Sequence, residues 1–490
     1  MNYPFWDVPI IGSVWVVGMI AIFHVTISHF AIGGAFYLLM AKRKAHRENR
    51  QDWLEVIRKH ARFFLILTAV LGAVSGIGIW FAIGLAQPQG TSALIHNFVF
   101  GWAIEWCFFI IEVIALIVFY YFWDRLDHKT HMAVGWVYAI AAFMSLVIIN
   151  GILTFMLTPG ATWLATAEAD ISNAPHDFWA AFFNPGYFPS LILRTLVCIA
   201  IAGVWAMVTA GRIDGHAQPK LKGEIIRWST RWLVPGFVLM PIVFFWYIST
   251  IPDTQRELLN FGVDSAGQGA FTLVTRIGLM IVMSSATILG VIYFLGYRNP
   301  TDFGPGHGWA VVVLALLVTG SAEYARELIR KPYVVRAYMY ANAVRAADVE
   351  RFNVDGYLSD SPWASDAERA RWAKMDKELK MVPVSDDAAA PSYPAIAKAS
   401  PEDWEAHLKR GQMMARGQCM NCHTNDGYRP LRKLLLGRDR ESVANFVRML
   451  HKYEDGLSYA AYMPPVVGTE GEVEALIDHL ATLVSPKAQK

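Results

Sequence analysis

Residues 419–423 read Cys-Met-Asn-Cys-His. Two thiols three residues apart lie on one turn, so each can bond a vinyl group of a haem. The adjacent imidazole then faces the iron, which is the logic of the c-type attachment signature. A redox dithiol does not need the histidine. A zinc site needs a second pair of ligands, and no further Cys pair exists, because Cys107 and Cys198 stand alone in apolar runs. There a thiol packs as a small hydrophobe. Met463 follows His423 by 40 residues, between Tyr462 and the pair Pro464-Pro465. A thioether is a soft ligand that raises the potential of haem iron. The expectation is one covalent haem c, anchored by Cys419 and Cys422 and ligated by His423 and Met463.

A second group of residues has chemistry where water is scarce. His24, His29, Glu105, Glu112, Arg194, Arg276 and Glu323 interrupt long apolar runs. An ionisable group at bilayer depth costs a few kcal/mol and marks a candidate site, unless a neighbouring backbone group satisfies it. His24 and His29 are five residues apart, about 140° around a helix, so they cannot face one iron. Glu105 and Glu112 are seven apart and share a face. Two carboxylates along one face read as a proton path more readily than as a metal site.

These side chains need a scaffold, and composition says which kind. Of 490 residues, 54% are hydrophobic and only 17% charged, against roughly a quarter in soluble domains. The net charge of +2 identifies no partner, and nothing points to nucleic acid. Apolar runs long enough to span a bilayer, roughly 20 residues each, lie near 10–40, 61–86, 97–123, 132–157, 190–211, 232–250, 271–296 and 308–328. The first run lacks the basic start and small-residue cleavage site of a secretory signal. Segment 331–400 mixes charges with Ala, Pro and Ser and reads as a linker, and 401–490 as a small soluble helical domain. The fold class expected is all-α: a bundle of about eight transmembrane helices over 1–330, then a cytochrome c domain.

Loop charge orients the bundle. Segment 42–60 holds Lys42, Arg43, Lys44, Arg47, Arg50, Arg58 and Lys59, and 212–231 holds Arg212, Lys220, Lys222, Arg227 and Arg231. The loops 87–96 and 159–189 hold no Lys or Arg. By the positive-inside rule the odd-numbered loops are cytoplasmic and both termini lie outside. Arg326, Arg330, Lys331 and Arg336 break the pattern locally.

Residues 10–335 resemble subunit I of the cytochrome bd oxidase superfamily. "FHVTISHFAIGGAFYLL" at 23–39 resembles the family's first helix and aligns its haem-ligating His with His24. "AIEWCFFIIEVIALIVFYYFWDRL" at 103–126 resembles the third helix and gives Glu105 and Glu112 the proton-route roles, one residue closer together than in the family. "GSAEYAR" at 320–326 resembles the segment whose Glu ligates a second haem, here Glu323, and "TRIG" at 275–278 keeps an Arg as Arg276. The segment around Met463 resembles the axial-Met loop of class I cytochromes c. Departures accompany these matches. Arg194 and Gly278 stand where the family's outer haem has a His and a Met, and the loop associated with quinol oxidation shrinks to about 250–270. The family has nine helices in this subunit. Eight would return the C-terminus to the outer side, where haem is attached to cytochrome c domains.

The resemblance implies a multi-pass protein of the bacterial inner membrane with a periplasmic C-terminal domain. It implies two membrane haems, both b-type or one of d-type, ligated by His24 and Glu323. Arg194, Arg276 and Arg326 would hold propionates, and Glu105 and Glu112 would carry protons. The function implied is a bd-like terminal oxidase that takes electrons from a periplasmic cytochrome c, or another redox protein, instead of quinol, assembled in the bilayer with further membrane subunits. A non-catalytic electron relay in a larger respiratory complex and reduction of another small oxidant such as nitric oxide remain open, as do the direction of electron flow and the roles of His29 and His96.

Overall fold

The computed structural model describes residues 6–169, 177–253, 255–257, 259–260, 272–330, 335, 337–359, 361, 364–378, 400–453 and 463–484. Among the described residues, eight helices are long and apolar enough to cross a membrane: α1 (Ser13–Arg47), α2 (Gln51–Ala86), α3 (Val99–Tyr121), α4 (His128–Phe155), α5 (Tyr187–Ala210), α6 (Pro219–Ser249), α7 (Leu273–Arg298) and α8 (Pro305–Arg330). No strand occurs among the described residues, only isolated bridges.

Two of these helices begin earlier than their apolar runs. α2 starts at Gln51, ten residues before the run at 61, and α6 starts at Pro219 rather than near 232. Their first turns are amphipathic and bury Trp53 and Ile57 in α2 and Leu221, Ile225 and Ile226 in α6. An amphipathic lead-in continues a helix without lengthening the apolar stretch, so apolar length alone misses it. Asp127 caps α4 by accepting from the backbone N–H of Lys129 and Thr130. Lys44, His46 and Arg47 close α1 at its negative dipole end.

The chain divides into two compact units: residues 18–80 with 94–330, and residues 1–17 and 81–93 with 331–490. In the first, small residues bring helices close, as lipid-embedded packing requires. A Cβ on Gly33 of α1 would fall 1.9 Å from the Cys198 carbonyl oxygen of α5. One on Gly135 of α4 would fall 2.4 Å from Leu39 and 2.9 Å from Phe119. Large apolar side chains face outward, among them Phe100 and Phe245, each 72% exposed. A bilayer covers such a surface, whereas water would not tolerate patches of this extent.

The second unit has its own core. α9 (Val349–Asp355), α10 (Asp366–Glu378), α11 (Pro401–Gln418), α12 (Arg440–His451) and α13 (Glu470–Thr482) supply most of it. Here the reading of 331–400 as a linker needs correction. Val344, Tyr357, Leu358, Ala364, Trp372 and Met375 are buried in one core with Met414, Val447 and Val473. Buried Glu472 accepts from the backbone N–H of Tyr357 (2.8 Å) and Leu358 (2.9 Å). Arg410 grips Asp376 with two bonds of 2.9 and 3.1 Å. A few well-spaced apolar residues in a polar segment are enough to dock two short helices. Residues 379–399, with the Ala/Pro/Ser stretch that suggested the linker, lie outside the described residues.

The chain's first residues also belong to this unit. Tyr428 N–H donates to the Ile10 carbonyl at 2.9 Å, and Trp15 meets the Tyr428 ring edge-on at 5.8 Å. A Cβ on Gly427 would fall 1.9 Å from the Ile10 carbonyl oxygen. This backbone approach requires glycine.

Candidate functional site

Cys419 follows α11 directly, and its carbonyl accepts from the backbone N–H of Cys422 (3.1 Å) and His423 (3.0 Å). That single turn presents both thiols and the imidazole. Burial, and then Cys422 close by, push the Cys419 thiol up to about 12. A reactive dithiol needs the opposite, a lowered thiol pKa, so the environment disfavours the redox alternative. Among the described residues no group of three or more His, Cys, Asp or Glu could hold a metal ion. His423 Nδ1 lies 2.8 Å from the Arg429 carbonyl. A carbonyl can only accept, so Nδ1 carries the proton and Nε2 keeps its lone pair, the tautomer that an iron ligand needs.

Met463 packs at the rim of the same core, and the loop that carries it is pinned from several sides. The Gln418 amide donates to the Val467 carbonyl at 2.7 Å and accepts from Val467 N–H at 2.8 Å. Asn342 donates to the Pro465 carbonyl at 2.8 Å, and Val466 N–H to the Leu450 carbonyl at 3.1 Å. Gln418 directly precedes the first cysteine, so one side chain ties the attachment turn to the methionine loop. Gln418→Ala breaks two buried bonds and is expected to cost about 2–3 kcal/mol of loop stability. On the expectation of a haem c here, a weakened methionine–iron absorbance band in the oxidised protein, at unchanged covalent haem content, is the measurement. Residues 454–462, including Tyr462, lie outside the described residues.

In the bundle, His24 turns toward α2. Its Nδ1 is 3.0 Å from Ser75 Oγ, which itself donates to the Leu71 carbonyl at 2.6 Å. The hydroxyl proton is committed, so Ser75 accepts from Nδ1–H and Nε2 holds the lone pair. A Cβ on Gly76 would sit 3.2 Å from the His24 ring, so the glycine makes room for it. Ser75 is a partner that sequence reasoning missed; its only signal is a hydroxyl inside the apolar run of α2. On the expectation that His24 holds a haem, Ser75→Ala should weaken its retention by roughly 10–100-fold, because such outer partners set ring orientation. Haem loss to apomyoglobin from the detergent-solubilised protein would measure it.

His29 turns elsewhere, as its position on the helix demands, with Nδ1 2.5 Å from the Val25 carbonyl. On α3, Glu105 accepts from Ser145 of α4 at 2.7 Å. Glu112 lies within electrostatic reach of Glu105 and of buried Tyr138. On α8, Arg326 donates through Nε to Glu323 at 2.7 Å and pairs through its other nitrogen at 2.5 Å. Arg194 of α5 lies within reach of both Glu323 and Arg326. These elements thus gather Glu323, Arg326 and Arg194 into one cluster. Arg276 stands exposed on α7, Gly278 faces open space, and His96 is exposed on a short helix, Pro88–Asn97. In the shortened loop, residues 254, 258 and 261–271 fall outside the described residues.

The donor set suits haem: two imidazoles, His24 and His423, with Nε2 kept for a metal, and a carboxylate flanked by guanidinium groups that could release it to propionates. Comparisons point the same way. Residues 13–247 match the family Cytochrome bd terminal oxidase subunit I. The fold is similar to a chain in the structure of bd oxidase from Geobacillus thermodenitrificans, with a TM-score of 0.54 at 17% identity, over 70% of this chain and 94% of that one. A search of curated proteins finds no match. Over residues 13–247 this chain is similar in sequence to subunit I of the cytochrome bd terminal oxidases, and over 70% of its length its fold is similar to a chain of a bd oxidase.

Proposed function

We propose that this protein is a membrane haem oxidoreductase of the cytochrome bd type, in which a covalent haem c takes the place of quinol as electron entry. The observation that carries the reading is the turn Cys419–His423. Its histidine is held in the ligating tautomer and its flanking residue Gln418 is tied to the Met463 loop. Support comes from the bundle, where a His and a Glu at the positions of the family resemblance sit in environments that fit haem.

Haem, when bound, supplies one-electron chemistry. The chain's own residues divide the remaining work. Cys419 and Cys422 would hold the haem covalently through their sulfurs, and His423 and Met463 would hold its iron. His24 offers Nε2 and Glu323 its carboxylate to the two membrane haems, of b type or one of d type. Arg326 and Arg194, which neighbour Glu323, would pair with propionates, with Arg276 a further candidate on α7. Glu105, held by Ser145, and Glu112 one stretch further on the same face are the proton route, since oxygen reduction to water consumes four protons with four electrons. The exposed edge of the haem c domain is the docking point for a periplasmic cytochrome c or another redox protein, and the bundle is assembled with further membrane subunits.

The test is the choice of donor. With the purified assembly, reduced cytochrome c should drive oxygen uptake and quinol alone should drive little. Fast quinol oxidation would overturn the proposal. No oxygen uptake with any donor, alongside fast haem-to-haem transfer, would instead establish an electron relay in a larger complex.

A further inference from the structure

A cavity of about 450 Å³ opens in the side of the helix bundle, where α1, α4, α5 and α6 meet. Along α1 it runs from Ile32 to Met40, about 12 Å of helix. That is close to the depth of one leaflet, half of a hydrocarbon core roughly 30 Å thick. The walls are apolar, with Phe36 from α1, Phe143 from α4, Ile199 from α5 and Pro235 from α6. At the far end Thr195 gives its hydroxyl proton to the Leu191 carbonyl at 2.8 Å, one turn back on its own helix. No His, Asp or Glu lines the cavity among the described residues, so it is separate from the sites of His24 and Glu323.

The other end is charged. Arg231 lies exposed at the mouth, at the close of the basic segment 212–231. By the positive-inside rule this end of the bundle faces the cytoplasm. Trp228 and Trp232 stand beside it, edge to face at 5.6 Å. Indoles collect at the depth where hydrocarbon gives way to headgroups. Other cations of this end are engaged. Arg50 pairs with Asp52 at 2.8 Å and with Glu224 at 2.7 Å, and Arg227 donates to the Tyr297 carbonyl at 3.1 Å. The Arg231 guanidinium makes no hydrogen bond or ion pair among the described residues.

Shape and charge together select the occupant. A helix from another chain is about 10 Å across, and 12 Å of its length fills roughly 1,000 Å³, about twice the room. A quinone ring is neutral and leaves the Arg231 charge unanswered. An acyl chain fits a narrow apolar space that offers no free polar group. A basic group beside a pocket between helices on the cytoplasmic side is the arrangement that holds acidic lipid headgroups.

We propose that this cavity is a binding site for one anionic phospholipid of the cytoplasmic leaflet, with an acyl chain along α1 and the phosphodiester on Arg231. Neither haem nor oxygen chemistry enters the proposal, which needs only that the bundle spans the bilayer.

The experiment uses the full chain in its native assembly. The purified assembly is delipidated in detergent and titrated with phosphatidylglycerol or phosphatidylcholine, and native mass spectrometry counts the first copy bound. The unaltered protein should hold phosphatidylglycerol about fivefold more tightly, the effect of one basic residue beside an acidic headgroup. Arg231→Gln should bring the two lipids level and leave phosphatidylcholine as before. Ile199→Trp, which fills the cavity and keeps the charge, should release both. If Ile199→Trp does not assemble, Arg231→Gln alone decides. Equal binding of the two lipids by the unaltered protein, or a preference that survives Arg231→Gln, would overturn the proposal. Displacement of the bound lipid by a lower concentration of an isoprenoid quinone would overturn it in favour of quinone. Loss of another subunit from the Ile199→Trp assembly would overturn it in favour of a protein helix.

Discussion

Replacing Cys419 and Cys422 together by serine is expected to abolish oxygen uptake driven by a reduced cytochrome c, down to the rate without protein. Serine keeps the volume of each side chain and the turn that holds them, and removes only the thioether bonds. His423 and Met463 alone would then have to retain haem non-covalently in a small domain. The membrane haems should remain, visible after extraction as a full non-covalent complement. This variant is a cleaner test than deleting 401–490, because that deletion would strip Met414, Val447 and Val473 from the core that also buries Leu358 and Trp372. Retention of covalent haem in the double variant would show that the attachment lies elsewhere. Retention of uptake without covalent haem would show that electrons enter by another route.

Glu323→Ala and His24→Ala should each remove or alter one membrane haem, with the larger disturbance at Glu323. Its carboxylate is the counter-charge for Arg326 and lies within reach of Arg194. Removing it takes that counter-charge from Arg326 near Arg194; breaking one partner of a fully buried ion pair costs roughly 3–5 kcal/mol, and this partly buried pair should cost less. His24→Ala leaves no such charge behind, so the chain should assemble normally and lack only the haem. Separating these effects needs both haem content per chain and the yield of assembled protein. Full haem content with unaltered spectra in both variants would contradict the two ligand roles. Glu323→Gln, which removes the charge but keeps the shape, should give intermediate assembly and still alter the haem spectrum.

The candidate attachment residues stand out in the sequence because their signals are local. Cys419, Cys422 and His423 are contiguous, and the apolar runs that announce eight spans depend on composition along one segment at a time. A bilayer makes that reading strong, since each span must satisfy its backbone internally and so must be helical. The helical offset between His24 and His29 likewise follows from periodicity alone. What depended on long-range packing was not legible. Nothing near Ser75 marks it as the partner of His24, 51 residues away, and nothing near Gln418 shows that it secures a loop 49 residues on. The polar stretch 337–378 carries too few apolar residues to announce a core, yet Trp372 and Leu358 find one because α11 and α13 present a matching surface. Residue type and spacing determined which atoms could hold a haem. Only the tertiary structure decided which nitrogen of His24 and of His423 keeps its lone pair, because a tautomer is set by the hydrogen bond on the other side of the ring.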